Sequence, residues 1–137
     1  MFLQRINILS TLLPFLSLII SCADSGIIEG GKFSSGQKTS VHAFYLYDYI
    51  SKDKVKEHAL TIVGESKSLS ASFYFSHNSN VSTQRLRLSK NFQDAIDIMA
   101  QYHHSLKYVS FKDETGQISF VDCKNDPDNK LCSGNNY

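Results

Sequence analysis

The chain lacks most of the features from which a function is commonly deduced. Its 137 residues hold 14 Lys and Arg against 13 Asp and Glu, so no excess of positive charge favours a nucleic-acid partner. Beyond the first 20 residues, no apolar run approaches the roughly 18 residues needed to cross a bilayer. Gly-x-Ser-x-Gly, His-Glu-x-x-His and a complete EF-hand loop are missing. The sequence therefore predicts no catalytic residue, no metal ligand and no cofactor.

One motif comes close to a nucleotide site and fails. Gly26 to Lys32 has the Gly-x-x-x-x-Gly-Lys spacing of a phosphate-binding loop. The next residue is Phe33, where Ser or Thr is needed to bind magnesium, and no strand is predicted before the loop. Nucleotide binding is therefore not predicted.

The first 22 residues carry the most specific signal in the chain. A single charge at Arg5 precedes an apolar run from Ile8 to Ile20, which is short for a membrane-spanning helix and typical of a secretory signal. The small residue Ser21 then precedes Cys22. The segment ending Leu18-Ile19-Ile20-Ser21-Cys22 resembles a lipobox, the recognition sequence of the bacterial lipoprotein signal peptidase.

This resemblance to bacterial lipoproteins covers residues 1–22 only, and the rest of the chain resembles no family that we can name. It implies removal of residues 1–21 and attachment of lipid, including palmitate, to Cys22. At about 0.8 kcal/mol per buried methylene, two or more acyl chains would hold the protein at a membrane. Ile19 replaces the usual Leu, a tolerated departure. Ala23 follows the cysteine where Asp would retain the protein at the inner membrane, which by resemblance favours the outer membrane. The alternative is an ordinary signal peptide that leaves Cys22 as a free thiol.

The mature chain divides into a tether and one domain. Residues 22–40 comprise the lipidated cysteine and a segment rich in Gly and Ser, a composition typical of a flexible linker. Residues 41–137 alternate strand-like and helix-like patterns, which predict a single α+β domain of order β-α-β-β-α-β-β. We expect an antiparallel or mixed sheet of four to five strands with two helices on one face. The predicted strands are 41–49, 69–75, 85–88, 106–112 and 117–123, and Ser51 and Ser89 are the predicted helix N-caps.

Cys123 and Cys132 are the other two cysteines, and the export signal assigns them to an oxidising compartment. A pair with eight intervening residues lacks the close spacing of a redox-active Cys-x-x-Cys site. The two cysteines are therefore predicted to form a structural disulfide that holds the C-terminal tail against the last strand.

A row of tyrosines is the candidate binding feature. Tyr45, Tyr47 and Tyr49 alternate along the first predicted strand, and an exposed row of this kind would suit protein recognition. The alternative is that a helix or the tail covers these rings. Together with the lipid anchor, the row predicts an envelope module that binds another protein, as accessory lipoproteins of secretion and conjugation machines do. The competing interpretations are a periplasmic inhibitor or small-ligand binder and, last, an enzyme.

Overall fold

The computed structural model describes residues 26–36 and 38–133. The predicted signal peptide and the lipidation site Cys22 lie outside the described residues. Within the described part of the chain, no helix is long and apolar enough to cross a membrane.

One mixed sheet of five strands forms the centre of the domain, in the spatial order β1-β2-β3-β4-β5. Strands β2 and β3 pair in parallel and every other neighbouring pair is antiparallel. The strands are β1 (Ile27–Ser35), β2 (Thr39–Leu46), β3 (Ser70–Ser76), β4 (Leu106–Lys112) and β5 (Ile118–Asp122). The predicted α+β class is thus confirmed, and of the predicted alternatives, an antiparallel or mixed sheet of four to five strands, the structure has the mixed sheet of five.

The helices lie in the connections between strands. Helix α1 (Lys52–Glu65) forms the crossover that the parallel pair β2 and β3 requires, and α2 (Phe92–Ala100) lies between β3 and β4. Ser51 caps α1 as predicted, by accepting a hydrogen bond from the Lys54 amide. The cap of α2 is Asn91 rather than Ser89, because the Asn91 side chain accepts from the Asp94 amide at 2.8 Å.

Shorter elements complete the chain. A four-residue helix, α3 (Lys130–Ser133), follows the last strand, and 3₁₀ turns occupy Gln84–Leu88 and His103–Ser105. The strand predicted at residues 85–88 is therefore wrong: this segment is part of the first 3₁₀ turn.

The two main helices lie on opposite faces of the sheet, so the prediction that they share one face is wrong. Phe73 and Phe75 of β3 point into the cluster that includes α2, whereas Tyr74 points into the cluster that includes α1. The physical reason is that β3 is buried on both faces. Alternation of apolar and polar residues along this strand suggested one solvated face, but Ser70, Ser72 and Tyr74 are buried as well.

The predicted flexible linker is also wrong for residues 27–35, which form the edge strand β1. Two of its glycines have a packing role that composition did not reveal. A Cβ atom at Gly30 would lie 2.5 Å from the Tyr45 ring, and one at Gly31 would lie 3.0 Å from Thr83. The Thr83 hydroxyl donates a 2.6 Å hydrogen bond to the Gly30 carbonyl at a bulge in β1. The glycines thus let the loop after β3 pack against the strand.

Cys123 and Cys132 lie at disulfide distance, with 1.95 Å between the sulfurs and 5.4 Å between the Cα atoms. The pairing predicted from the sequence is confirmed. It joins the end of β5 to α3, and both cysteines are buried against the cluster on the α2 face. In the chain-entropy model, a loop of this length stabilises the fold by roughly 2–3 kcal/mol.

Candidate partner-binding site

The three candidate tyrosines do not form one row. Strand β2 ends at Leu46, so Tyr45 belongs to the strand while Tyr47 and Tyr49 lie in the turn that follows it. The structure therefore separates the first tyrosine from the other two.

Tyr45 is part of the fold and not of an exposed surface. Its ring packs against the cluster on the α2 face, and its hydroxyl donates a 2.6 Å hydrogen bond to the carbonyl of Val81. This bond joins β2 to the loop after β3. Such a bond satisfies a half-buried hydroxyl. Tyr45 is therefore covered, but its hydroxyl is bound by a loop and not by the helix or tail that the alternative named.

Tyr47, Tyr49 and His77 form a stacked group, called here the aromatic patch. The Tyr47 ring lies between the other two, with its centroid 5.7 Å from that of Tyr49 and 4.4 Å from that of His77. Tyr49 is the outermost ring and is 66% exposed. His77 was not a predicted site residue, because it lies in a polar loop about thirty residues away along the chain and only the parallel pairing of β2 and β3 brings it here.

The backbone around the aromatic patch is held in place. The His77 amide donates to the Leu46 carbonyl at 3.0 Å, and the Tyr47 amide donates to the Gly26 carbonyl at 3.0 Å. Gly26 has φ +71°, and a Cβ atom there would lie 2.4 Å from Ile50 and 2.9 Å from Tyr49. Gly26 therefore packs directly beside the patch, and its positive φ favours glycine at that position.

Ion pairs border the same end of the sheet. Lys107 Nζ lies 3.2 Å from the Asp48 carboxylate, and Lys52 Nζ lies 2.8 Å from the Asp122 carboxylate. Burial is the largest single effect on Asp122 and opposes its ionisation, but the hydrogen bond and the charge of Lys52, together with backbone hydrogen bonds from residues 124 and 125, outweigh it and lower the pKa of this carboxyl. The same hydrogen bond raises the pKa of Lys52. The surroundings of the patch are thus polar and of mixed charge.

A second group of rings, which sequence reasoning missed, lies under α1. His58 Nδ1 lies 2.9 Å from the Tyr74 hydroxyl, and the Phe44 ring packs against both of these residues. The His42 ring also stacks on Phe44, with centroids 5.9 Å apart. His42 lies on β2 and His58 on α1, so no regular spacing in the sequence could indicate that the two side chains meet.

Burial controls the ionisation of this second group. Desolvation, assisted by the charge of Lys32, lowers the pKa of His42 to about 4. Desolvation also lowers the pKa of His58, although Glu29 opposes the shift, and it raises the pKa of the Tyr74 hydroxyl. All three groups are therefore neutral at pH 7, and His58 and Tyr74 share a hydrogen bond.

The aromatic patch and the group under α1 offer aromatic ring surfaces and neutral hydrogen-bonding side chains. Among residues 26–36 and 38–133, no three His, Cys, Asp or Glu side chains come together in a way that could hold a metal ion.

Comparison with known protein families, with curated proteins and with solved structures finds no match to this chain.

Proposed function

We propose that this protein is a lipid-anchored lipoprotein of the bacterial envelope that binds another envelope protein through the aromatic patch. The observation that carries the proposal is the exposed Tyr49 ring, which stacks on the half-buried Tyr47 ring beside Gly26. In this function the protein is an accessory part of a larger envelope machine, of the secretion or conjugation type.

The composition and rigidity of the patch support protein recognition. Tyrosine is enriched among the residues that dominate binding energy, because one ring offers a large apolar surface and a hydroxyl at a small cost in rotamer entropy. The hydrogen bonds from the Tyr47 and His77 amides hold the backbone under the rings before any partner arrives. A surface ordered in advance loses less entropy on binding than a mobile one.

The predicted anchor limits where the partner can be. Cys22 precedes Gly26 by four residues, and an extended chain spans at most about 3.5 Å per residue. The Cys22 backbone, to which the lipid is attached through the side chain, would therefore lie within roughly 14 Å of the Gly26 backbone, against which Tyr49 packs. We accordingly propose a partner that presents its binding surface close to the bilayer, which describes an integral or lipid-anchored envelope protein.

The anchor and the patch are tested separately. Cys22→Ser should abolish labelling of the protein by palmitate, because serine has no thiol to form the thioether bond to diacylglycerol. A labelled variant would contradict the lipobox interpretation and would leave the patch hypothesis open.

For the patch, the test is in-cell crosslinking followed by purification in mild detergent and identification of partners by mass spectrometry. We expect the double substitution Tyr47→Ala and Tyr49→Ala to remove the crosslinked partner. The matched control is Leu88→Ala, which removes a large apolar side chain that is 81% exposed in the 3₁₀ turn after β3. Retention of the partner by the tyrosine variant, with its circular dichroism unchanged, would rule out the patch as the binding surface.

A further inference from the structure

A cavity lies at the end of the sheet opposite the aromatic patch. Helix α1 packs mainly over β3, β4 and β5, so the space beside its C-terminal end is bounded below by the end of β1 and the start of β2. The cavity has a volume of about 310 Å³. This value is at the lower end of the range of roughly 300–1,000 Å³ that small-molecule sites occupy.

The floor of the cavity is made of buried polar side chains. Ser40 and His42 line it, and each is only 8% exposed. Thr39 also lines it, and its Oγ1 atom is buried without a hydrogen-bond partner among the described residues. A buried hydroxyl left without a partner costs free energy, and a ligand with a hydrogen-bond acceptor would recover that cost.

Positive charge outweighs negative charge around this floor. Lys32 and Lys67 line the cavity together with one carboxylate, that of Glu65. The C-terminal carbonyls of α1 would ordinarily add negative potential, but Lys112 Nζ donates to the Ser66 carbonyl at 2.6 Å and to that of Gly64 at 3.4 Å. Lys112, which belongs to β4 and not to α1, therefore offsets the negative potential at the C-terminal end of the helix.

We propose that the cavity is a binding site for a small anionic ligand, held through a carboxylate or phosphate group. Lys32 and Lys67 would supply charge-assisted hydrogen bonds, and the Thr39 hydroxyl would donate a third. The proposal does not depend on the partner-binding function, because its residues lie at the other end of the sheet and it needs no second protein.

The test is a titration of the isotope-labelled, lipidated protein in detergent micelles, followed by nuclear magnetic resonance. Inorganic phosphate and acetate are the two probes, and sodium chloride at matched ionic strength is the reference. We expect saturable shifts of the Thr39, His42 and Lys67 amide resonances with at least one probe and not with chloride. Saturation by phosphate alone assigns the site to phosphate-bearing ligands, by acetate alone to carboxylates, and by both to the shared oxyanion chemistry.

Matched variants test whether the residues that line the cavity bind the anion. The double substitution Lys32→Gln and Lys67→Gln should weaken binding by on the order of tenfold or more, and Glu65→Gln should strengthen it. Lys54→Gln, which removes an exposed lysine at the other end of α1, should leave binding unchanged. If the double variant does not fold, Thr39→Val tests the hydroxyl alone and should also weaken binding. Shifts that do not saturate, that chloride reproduces, or that persist unchanged in the cavity variants would overturn the proposal.

Discussion

On the face that α2 covers, β3 and β4 contribute Phe73, Phe75 and Val109 to the interior, whereas on the face that α1 covers the same strands contribute Ser72, Tyr74 and Ser110. All six side chains are fully buried. At these two strands the two faces of the sheet are therefore equally shielded from water but differ in chemistry.

The helices repeat this difference. Helix α2 buries five of its nine residues, while α1 buries only Val55, Ala59 and Val63 of its fourteen. Apolar burial provides most of the stability of a small domain, so the α2 face should dominate the free energy of unfolding. The α1 face carries neutral histidines, a buried tyrosine and the polar cavity, and is the face on which we expect dependence on pH and ligand.

The largest expected effect is on the α2 face. Phe73→Ala removes a fully buried ring from the apolar cluster and should lower the free energy of unfolding by about 3–5 kcal/mol. Urea denaturation followed by circular dichroism measures it. The matched substitution on the α1 face is Ser110→Ala, which breaks one hydrogen bond to the Ser119 carbonyl and should cost about 1 kcal/mol. Equal losses of unfolding free energy in the two variants would contradict the proposal that the α2 face contributes more stability than the α1 face.

The same contrast explains which parts of the fold could be predicted from the sequence. The strands β2, β3, β4 and β5 and both main helices were recognisable because local alternation and helical spacing produce them. Strand β1 was not, because Gly30 and Gly31 indicate a linker by composition and become necessary only where Thr83 and Tyr45 pack against them. The prediction that both helices lie on one face was wrong for a related reason. Serine and tyrosine alternate with apolar residues in β3, as they do in a strand with one solvated face, but here they are buried under α1.

The candidate site shows the same limit. The disulfide was predictable because, once the lipobox resemblance assigns Cys22 to lipid, the two remaining cysteines have one possible pairing. The tyrosine row was only partly predictable, because alternation does not indicate that β2 ends at Leu46 and leaves Tyr47 and Tyr49 in a turn. His77 and the buried His42 and His58 depend on contacts between elements distant in sequence, which no local pattern encodes.

The second expected effect is a loss of stability in mild acid that originates on the α1 face. The folded protein holds the pKa of His42 at about 4, below its ordinary value of 6.5, and lowers that of His58 in the same direction. Between these values the unfolded chain binds a proton that the folded chain does not, so stability is complete above pH 6.5 and decreases as the pH falls. At 1.36 kcal/mol per pKa unit, His42 alone accounts for about 3 kcal/mol by pH 4.

Denaturation measured between pH 7 and pH 4.5 checks this expectation, and two variants locate the responsible group. His42→Leu should flatten the dependence on pH, because it removes the group that the unfolded chain protonates. His104→Gln changes an exposed histidine and should leave the dependence as it is. If the His42 variant loses stability as steeply as the unsubstituted protein, the dependence originates in other groups.

The smallest expected effect distinguishes a tyrosine of the fold from a tyrosine of the surface. Tyr45→Phe removes the hydroxyl that donates to the Val81 carbonyl at 2.6 Å and leaves that acceptor without its partner, so we expect a loss of about 1 kcal/mol in the free energy of unfolding. Tyr49→Phe removes a hydroxyl from a ring that is 66% exposed and should change stability by less than about 0.5 kcal/mol. Partner crosslinking should show the reverse order, since Tyr49 belongs to the aromatic patch and Tyr45 does not. If the Tyr45 variant is fully stable but no longer crosslinks to the partner protein, Tyr45 is part of the binding surface. That result would contradict the assignment of Tyr45 to the fold and of Tyr47 and Tyr49 to the aromatic patch.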